Sequence, residues 1–525
     1  MWDKIIAVVT KVNSAINGVV WGWPMIILIL GTGILLTVLT KCMQVGKFGT
    51  SLKETILPTI KSIGKKKKNV SKKENSISQF EAFATAISGT VGTGNIVGVT
   101  SAIMSGGPGA VFWMWVSAFF GMVTNYAENV LGLYFRKKEK NGDFSGGPAY
   151  YLSEGLGRNT DRSWLKVLGK ILGAMAAVFC TFAAIGMSGV QTNKISSTFQ
   201  GTIGGNDKIV AIVVGIVVAV VLALIVLGGI KSIGRVASIL VPFMSLLFIG
   251  MALVVIFINA NMIGTAFGLI FKNMFQFRSA LAGVGGYAFA QIIQKGLARG
   301  VFSNEAGLGS SVIAHSASET REPVKQGFWG IFEVFFDTFV ICTLTALVVL
   351  VSFGDEAGMA NVLYAQGAMD TVVSMKAFES VFGTFGTVVY ASILPLFAFT
   401  TILAWSYYGE KSVDYLFRKA GDKARKIATT TFKVVYVLLV IVASLIDGEL
   451  AWAISDTFNG LMALPNLIGL VLMSTLVAKI TKNYFDRKKG KDVEPMLSAY
   501  PEQNEEFKAD LKAEEEAAEQ EAAEA

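Results

Sequence analysis

The sequence predicts an all-α membrane protein of eleven transmembrane helices: one N-terminal span, then a five-plus-five inverted-repeat core containing two discontinuous helices. Three observations predict it. Of 525 residues, 53% are hydrophobic and 16% charged, well below the quarter-charged make-up of soluble domains. Uncharged runs near the ~20 residues needed to cross the hydrocarbon core recur along the chain, for example at 19–40, 209–230 and 236–259. Glycine clusters interrupt an apolar segment at corresponding positions of the two halves.

The spans fall at 19–40, 79–104, 110–135, 171–198, 208–229, 235–258, 279–297, 326–352, 384–408, 428–446 and 450–480. The first lacks a small-residue cleavage site and reads as a true span rather than a signal peptide. The loop after it carries Lys41, Lys47, Lys53, Lys61, the lysine run 65–68, Lys72 and Lys73. Basic loops stay in the cytoplasm, which puts the N-terminus outside. With eleven spans, every further inner loop is basic: Arg136–Lys140, Lys231 and Arg235, then Arg299, Arg321 and Lys325, then the stretch around Lys411, Arg418 and Arg425, and finally Lys482 and 487–489. The outer loops are short or acidic, with Asp355, Glu356, Asp370 and Glu379, and later Asp447 and Glu449. The net charge of +8 is therefore assigned to topology and not to nucleic acid. Cys42, Cys180 and Cys342 sit at no metal-ligand spacing, and their odd number argues against a disulfide framework; they read as inert packing residues.

The organisation follows as 1–76, the N-terminal span and basic loop; 77–258, a first five-helix repeat; 259–490, a second; and 491–525, an acidic Ala-rich tail. A run of like charge with little to bury reads as a solvated tail or a frayed helix. Five is odd, so the second group enters the membrane from the opposite side. The first span of group one contains "GTVGTGN" (89–95) and that of group two "AGVGGYAFAQ" (282–291). Helices broken at matching places in the two halves point to a transporter's central site.

Unwound backbone inside lipid costs several kcal/mol per unpaired group, so it persists only where protein, water or a ligand satisfies it. Where the helix restarts after Gly92 and Gly94, free N–H groups and the positive dipole end favour a carboxylate. Where the preceding half-helix stops, carbonyls near 88–91 favour a small cation. Close packing of Gly94 and Gly98 accounts for one small-xxx-small pair. It does not account for the cluster followed by Asn95, a polar side chain at mid-membrane. A dinucleotide fingerprint is excluded because no strand precedes the glycines. His315 is the single histidine, which excludes a histidine-based zinc hydrolase, and no phosphate-cradling G-x-x-x-x-G-K-[ST] loop is present. The chain reads as no enzyme and no nucleotide-driven pump. An ion gradient suffices: one charge across 100 mV is worth about 2.3 kcal/mol, roughly 50-fold accumulation.

The stretches "GTVGTGNIVGVTSAIMSGGPGAVFWMW" (89–115), "GGPAYYL" (146–152), "ARGVFSNEAGLGSSVIAHSAS" (298–318) and "TTILAWSYYGE" (400–410) closely resemble the alanine or glycine:cation symporter family, over almost the whole chain except the tail. The resemblance implies sodium- or proton-coupled uptake of small neutral amino acids across the cell membrane, on the ten-helix inverted-repeat fold of the bacterial leucine transporter. It further implies a sodium site from the carbonyls of Ser88, Val91 and Phe397 and the hydroxyls of Thr400 and Thr401. The substrate carboxylate would meet backbone at Thr93 and Gly94 together with Asn95. Gly283, Gly285 and Gly286 would supply backbone from the second broken helix, with Phe289, Gln291 and Gln294 in the pocket.

Other polar or aromatic residues at membrane depth have two readings each. Gln191 and Asn193 touch substrate or bond between helices. Trp405 lines or gates the pocket, or packs. Glu333 and Asp337, at i and i+4, are functional candidates as intramembrane acids, while a hydrated end or a basic partner explains Glu333 equally well. Glu128, Glu305 and Asp456 read as structural ion-pair or capping residues.

Overall fold

A computed structural model of the chain describes residues 2–62, 76–139, 142–158, 161–203, 206–275, 285–353, 370–446 and 448–524. Among these, eight helices are long and apolar enough to cross a membrane: Ala110–Tyr134, Ser163–Thr202, Asp207–Val226, Gly229–Ile258, Pro323–Ser352, Thr384–Leu416, Asp422–Ala443 and Gly448–Lys488. Two bent pairs bring the number up to ten, Thr10–Val20 with Trp23–Leu39 at 41° and Gln79–Thr90 with Gly94–Gly106 at 47°. The segment expected over 279–297 is the helix Gly285–Asn304.

The helix Ser163–Ile203 packs along Thr384–Leu416 and Gly448–Lys488, while Ala110–Tyr134 packs against Pro323–Val334 and Gly285–Asn304. The outer faces are apolar, with Leu224, Leu227, Leu246, Phe257 and Leu438 exposed, as expected where hydrocarbon replaces water. The two largest buried clusters among the described residues lie one around Tyr126, Trp405 and Tyr408 and the other around Val97, Phe248 and Phe397. The first broken helix contributes to both, through Ala86 and through Val91 and Ile96.

That helix starts sharply. Ser78 Oγ accepts from the Glu81 N–H (3.2 Å) and Glu81 returns the bond to the Ser78 N–H (2.8 Å), a capping box. Immediately before it, Ile77 forms a parallel bridge with Ser318, beyond the short helix Ser311–His315.

Two expectations change here. Arg299, expected in an inner loop, lies within Gly285–Asn304, where Asp456 pairs with it at 3.2 Å and the Trp452 ring lies 4.6 Å away. Its charge is offset inside the protein, so it marks no loop. The tail, expected to be solvated, forms the helix Pro501–Glu524, and its Phe507 is fully buried with Phe144 and Leu497. A single aromatic anchors a stretch whose charge run conceals it.

Candidate functional site at two helix breaks

The first break follows from glycine. The helix Gln79–Thr90 ends at Val91, and after Thr93 the chain restarts as a π-helical turn, Gly94–Gly98, leading into Val99–Gly106. A Cβ on Gly92 would lie 2.4 Å from Thr401 Oγ1 and 3.3 Å from Gln191 Nε2. Only glycine lets the backbone come this close to the helix Thr384–Leu416.

On one side of the break, oxygens converge. The Thr401 hydroxyl donates to the Ser88 carbonyl (3.0 Å) and the Phe397 carbonyl (3.1 Å), and the Thr400 hydroxyl donates to the same Phe397 carbonyl (3.0 Å). All four residues are fully buried. Neutral hydroxyls and carbonyls are hard donors suited to a small cation.

On the other side, N–H groups and polar side chains converge. The Gly92 N–H donates to Asn95 Oδ1 (2.9 Å) and the Thr93 N–H to Gln191 Oε1 (3.2 Å). Thr93 Oγ1 is buried and finds no hydrogen-bond partner among the described residues. Asn95 Nδ2 donates to Asp337 Oδ1 at 2.5 Å. The other Asp337 oxygen accepts from Ser303 Oγ (2.9 Å) and Thr338 Oγ1 (2.8 Å). Asp337 sits in a second π-helical stretch, Phe335–Cys342, a distortion frequent at functional sites. It joins the first broken helix to the helix Gly285–Asn304. Next to Ser303, the Phe302 ring packs at a tilt on Trp452 with ring centroids 4.7 Å apart. Trp452 lies beneath the ion pairs Arg299–Asp456 and Lys194–Asp370 (2.8 Å).

The second break, among the described residues, runs from Glu305 to Ser310. Glu305, Gly307 and Gly309 have φ of +54°, +93° and +73°. A left-handed non-glycine residue costs on the order of 1 kcal/mol or more, and the Glu305 side chain is held at both oxygens. Trp405 Nε1 donates to Oε1 (2.8 Å) and Ser310 Oγ to Oε2 (2.5 Å). Glu128 Oε1 accepts from the Gly307 N–H (3.0 Å) and from Asn466 Nδ2 (2.6 Å). These bonds satisfy backbone that the break has freed from its helix.

The family model for the sodium:alanine symporter family matches residues 6–498. The chain belongs to that family. The sodium/alanine symporter AgcS of Methanococcus maripaludis is 40% identical over 485 residues, 92% of this chain and 98% of that relative. A Bacillus subtilis protein named "Probable sodium/glutamine symporter GlnT" is 34% identical over 478 residues, 91% of each chain. The crystal structure of MhsT in complex with L-phenylalanine superposes with a TM-score of 0.52 at 15% identity, covering 78% of this chain and 99% of that one; this shows a shared fold. The chain is thus an integral membrane protein of a symporter family and not an enzyme.

In this sodium:alanine symporter family member, the residues expected from the first break come together. Ser88, Phe397, Thr400 and Thr401 meet on one side. Thr93, Gly94, Asn95 and Gln191 meet on the other, with a Cβ on Gly94 falling 3.4 Å from Phe302. Val91, fully buried, ends the half-helix between them.

The second group does not assemble as expected. The break lies at Glu305–Ser310, whereas Gly285 and Gly286 open the helix Gly285–Asn304. Gly283 lies outside the described residues, as do the side chains of Phe289 and Gln291. Gln294 faces the N-terminal bent pair, its Nε2 donating to the Trp21 carbonyl at 2.7 Å, and so leaves the expected pocket. Trp405 braces the second break through Glu305. Asn193 donates to the Ile446 carbonyl (2.6 Å), an interhelical bond. Glu333 is fully buried beside His315 Nε2 (2.8 Å), with no basic loop residue paired to it among the described residues. Cys342, expected to be inert packing, touches Asn95 Nδ2 (3.4 Å) and Ser303 Oγ (3.2 Å). Ser303 and Phe302 are the site residues the sequence reading missed. Their signal was position: they sit just before the motif "NEAGLGS" that breaks the helix.

Proposed function

We propose that this chain imports a small neutral amino acid, alanine or glycine, together with sodium, by alternating access around the two broken helices. The observation that carries the reading is the two-sided first break, with hydroxyls and carbonyls on one side and N–H groups with Asn95 on the other. Ser88, Val91 and Phe397 carbonyls with Thr400 and Thr401 hydroxyls would hold sodium, the ion replacing the hydroxyl protons that now point at the carbonyls. The substrate carboxylate would take the Thr93 and Gly94 N–H groups at the positive end of the restarted helix, displacing Gln191 Oε1 from Thr93. The Asp337 carboxylate is within reach of the same Asn95 and is suited to the ammonium. Sodium and carboxylate then lie against one three-residue break, so each favours the other's binding. Phe302 and Trp452 close over Gly94 and Gly98, which favours a substrate with little side chain. The basic end of the bundle, where Lys137 and Arg136 gather, is read as cytoplasmic.

Purified protein in liposomes is expected to accumulate labelled alanine with an inward sodium gradient, in potassium medium at fixed pH. Accumulation driven by a pH gradient in the absence of sodium would assign a proton instead; uptake indifferent to both would end the reading. Thr401→Val removes one hydroxyl while keeping shape, and is expected to raise the sodium concentration needed for half-maximal alanine binding by about ten-fold or more. An unchanged sodium dependence would remove Thr401 from the ion site.

A further inference from the structure

The ends of the two broken helices are tied together at the basic end. The Ile77 N–H donates to the Ala317 carbonyl (3.3 Å) and the Glu319 N–H to the Ile77 carbonyl (2.8 Å). Ile77 directly precedes the first broken helix, and 317–319 follow the short helix that ends the second. Arg136, fully buried, holds the same strand, donating from Nη1 to the Ser316 (3.2 Å) and Ser318 (2.5 Å) carbonyls and from Nη2 to that of Thr320 (2.5 Å).

The C-terminal segment closes over this knot. The Arg136 guanidinium lies 4.0 Å from the Phe144 ring centroid and 5.4 Å from that of Phe507, and the Arg321 guanidinium lies 4.8 Å from Phe507. Arg321 Nε donates to Asp510 Oδ2 (2.9 Å) and Lys138 pairs with Glu506 (2.5 Å). The Ala499 N–H donates to the Tyr134 carbonyl (2.8 Å), and Arg158 Nη2 donates to the Ala499 carbonyl (2.7 Å). From Ala499 onward these residues lie beyond the stretch matched by the family model.

We propose that the segment 496–511 is a latch on the gate at the basic end, keeping the two broken helices tied until it lifts. The proposal rests on the transport reading above, in which that end opens to the cytoplasm. Opening it must separate Ile77 from 317–319, and those two backbone bonds are a weak tie on their own. Arg136 fixes the 316–320 side of that tie in place through the Ser316, Ser318 and Thr320 carbonyls, and Phe507 and Phe144 cover Arg136 from water. The anchor is small enough to release: Phe507 and Leu497 buried against Phe144 with Leu511 beside them, plus ion pairs whose acids, Glu506 and Asp510, are 43% and 40% exposed and so are screened by salt. Beyond Leu511 the chain is almost all Ala and Glu, with no second apolar anchor.

The test places a cysteine at Ala82, fully buried in the first turns of the first broken helix, in a Cys42→Ser full-length background. A membrane-impermeant maleimide is applied from the basic side of oriented vesicles. Phe507→Ala is expected to raise the labelling rate by about ten-fold or more, the scale of losing one buried ring, and Asp510→Arg to raise it less. Both are expected to speed sodium-driven uptake with alanine affinity unchanged. High salt is expected to raise labelling of the intact tail and to add little to Phe507→Ala. Labelling that stays at the intact rate while protease cuts the freed tail would overturn the latch. So would labelling that rises only in step with lost thermal stability, which makes the segment a brace. Failure of sodium-driven uptake in the parent chain would count against the transport reading and leave the labelling comparison standing.

Discussion

Gly92→Ala is expected to abolish sodium-dependent alanine binding and uptake while the protein still inserts and folds. The added Cβ would stand 2.4 Å from Thr401 Oγ1, inside any real contact distance, so the hydroxyl must turn away or the two helices must part. Either movement breaks the 3.0 Å and 3.1 Å bonds that aim Thr401 at the Ser88 and Phe397 carbonyls. The same Cβ crowds Gln191 Nε2 at 3.3 Å, shifting the acceptor now on the Thr93 N–H. One methyl therefore disturbs both sides of the break. Overpacking of this kind costs about 1–3 kcal/mol, or roughly ten- to hundred-fold in an equilibrium, and here it falls on two coupled ligands. Gly250→Ala is the control, because a Cβ there meets nothing within 4 Å, and it is expected to behave as the parent. Titration of alanine binding against sodium, alongside thermal unfolding in detergent, separates site damage from general instability. Near-parental affinity in Gly92→Ala would show that the close approach to Thr401 has no part in binding.

The first break was legible because two signals coincide there: glycines that no stable helix wants, and Asn95 at a depth where a polar side chain needs a partner. The second expected break lies partly outside the described residues, and the break that the described residues show falls about twenty residues further on, at Glu305–Ser310. "AGVGGYAFAQ" is richer in adjacent glycines than "NEAGLGS", so glycine density alone favours the former stretch. Gly307 and Gly309 sit at positive φ, which a count of glycines does not reveal. Arg299 points the same way, since an arginine inside a span reads as its end unless its partner is known. Asp456, 157 residues away in sequence, is that partner. The fold class was written in hydropathy. The bonds that shape the site, such as Asp337 to Ser303 or Glu128 to Gly307, join residues from separate helices and carry no local signature.

Asp337→Asn should separate a binding carboxylate from a structural one. The side chain accepts from Asn95 Nδ2, Ser303 Oγ and Thr338 Oγ1, three donors that two carboxylate oxygens can satisfy. An amide of the same shape keeps one acceptor oxygen and turns an NH2 toward a donor, so one of these bonds must be lost or reversed. A purely structural Asp337 would show this as a lower unfolding temperature, with alanine affinity in the surviving folded protein little changed. A carboxylate that meets the substrate ammonium predicts more. Removing one partner of a buried charge pair costs about 3–5 kcal/mol, so alanine affinity is expected to fall by roughly two to four orders of magnitude at saturating sodium. Lactate, which has the carboxylate and methyl of alanine with a hydroxyl in place of the ammonium, gives the internal reference. In the parent protein alanine should be strongly preferred to lactate, and in Asp337→Asn the preference should shrink by about the factor that alanine lost. Equal losses for both ligands would mean that the substitution acts through Asn95 and the carboxylate end of the site. The ammonium would then have to be held by main-chain carbonyls of the two breaks.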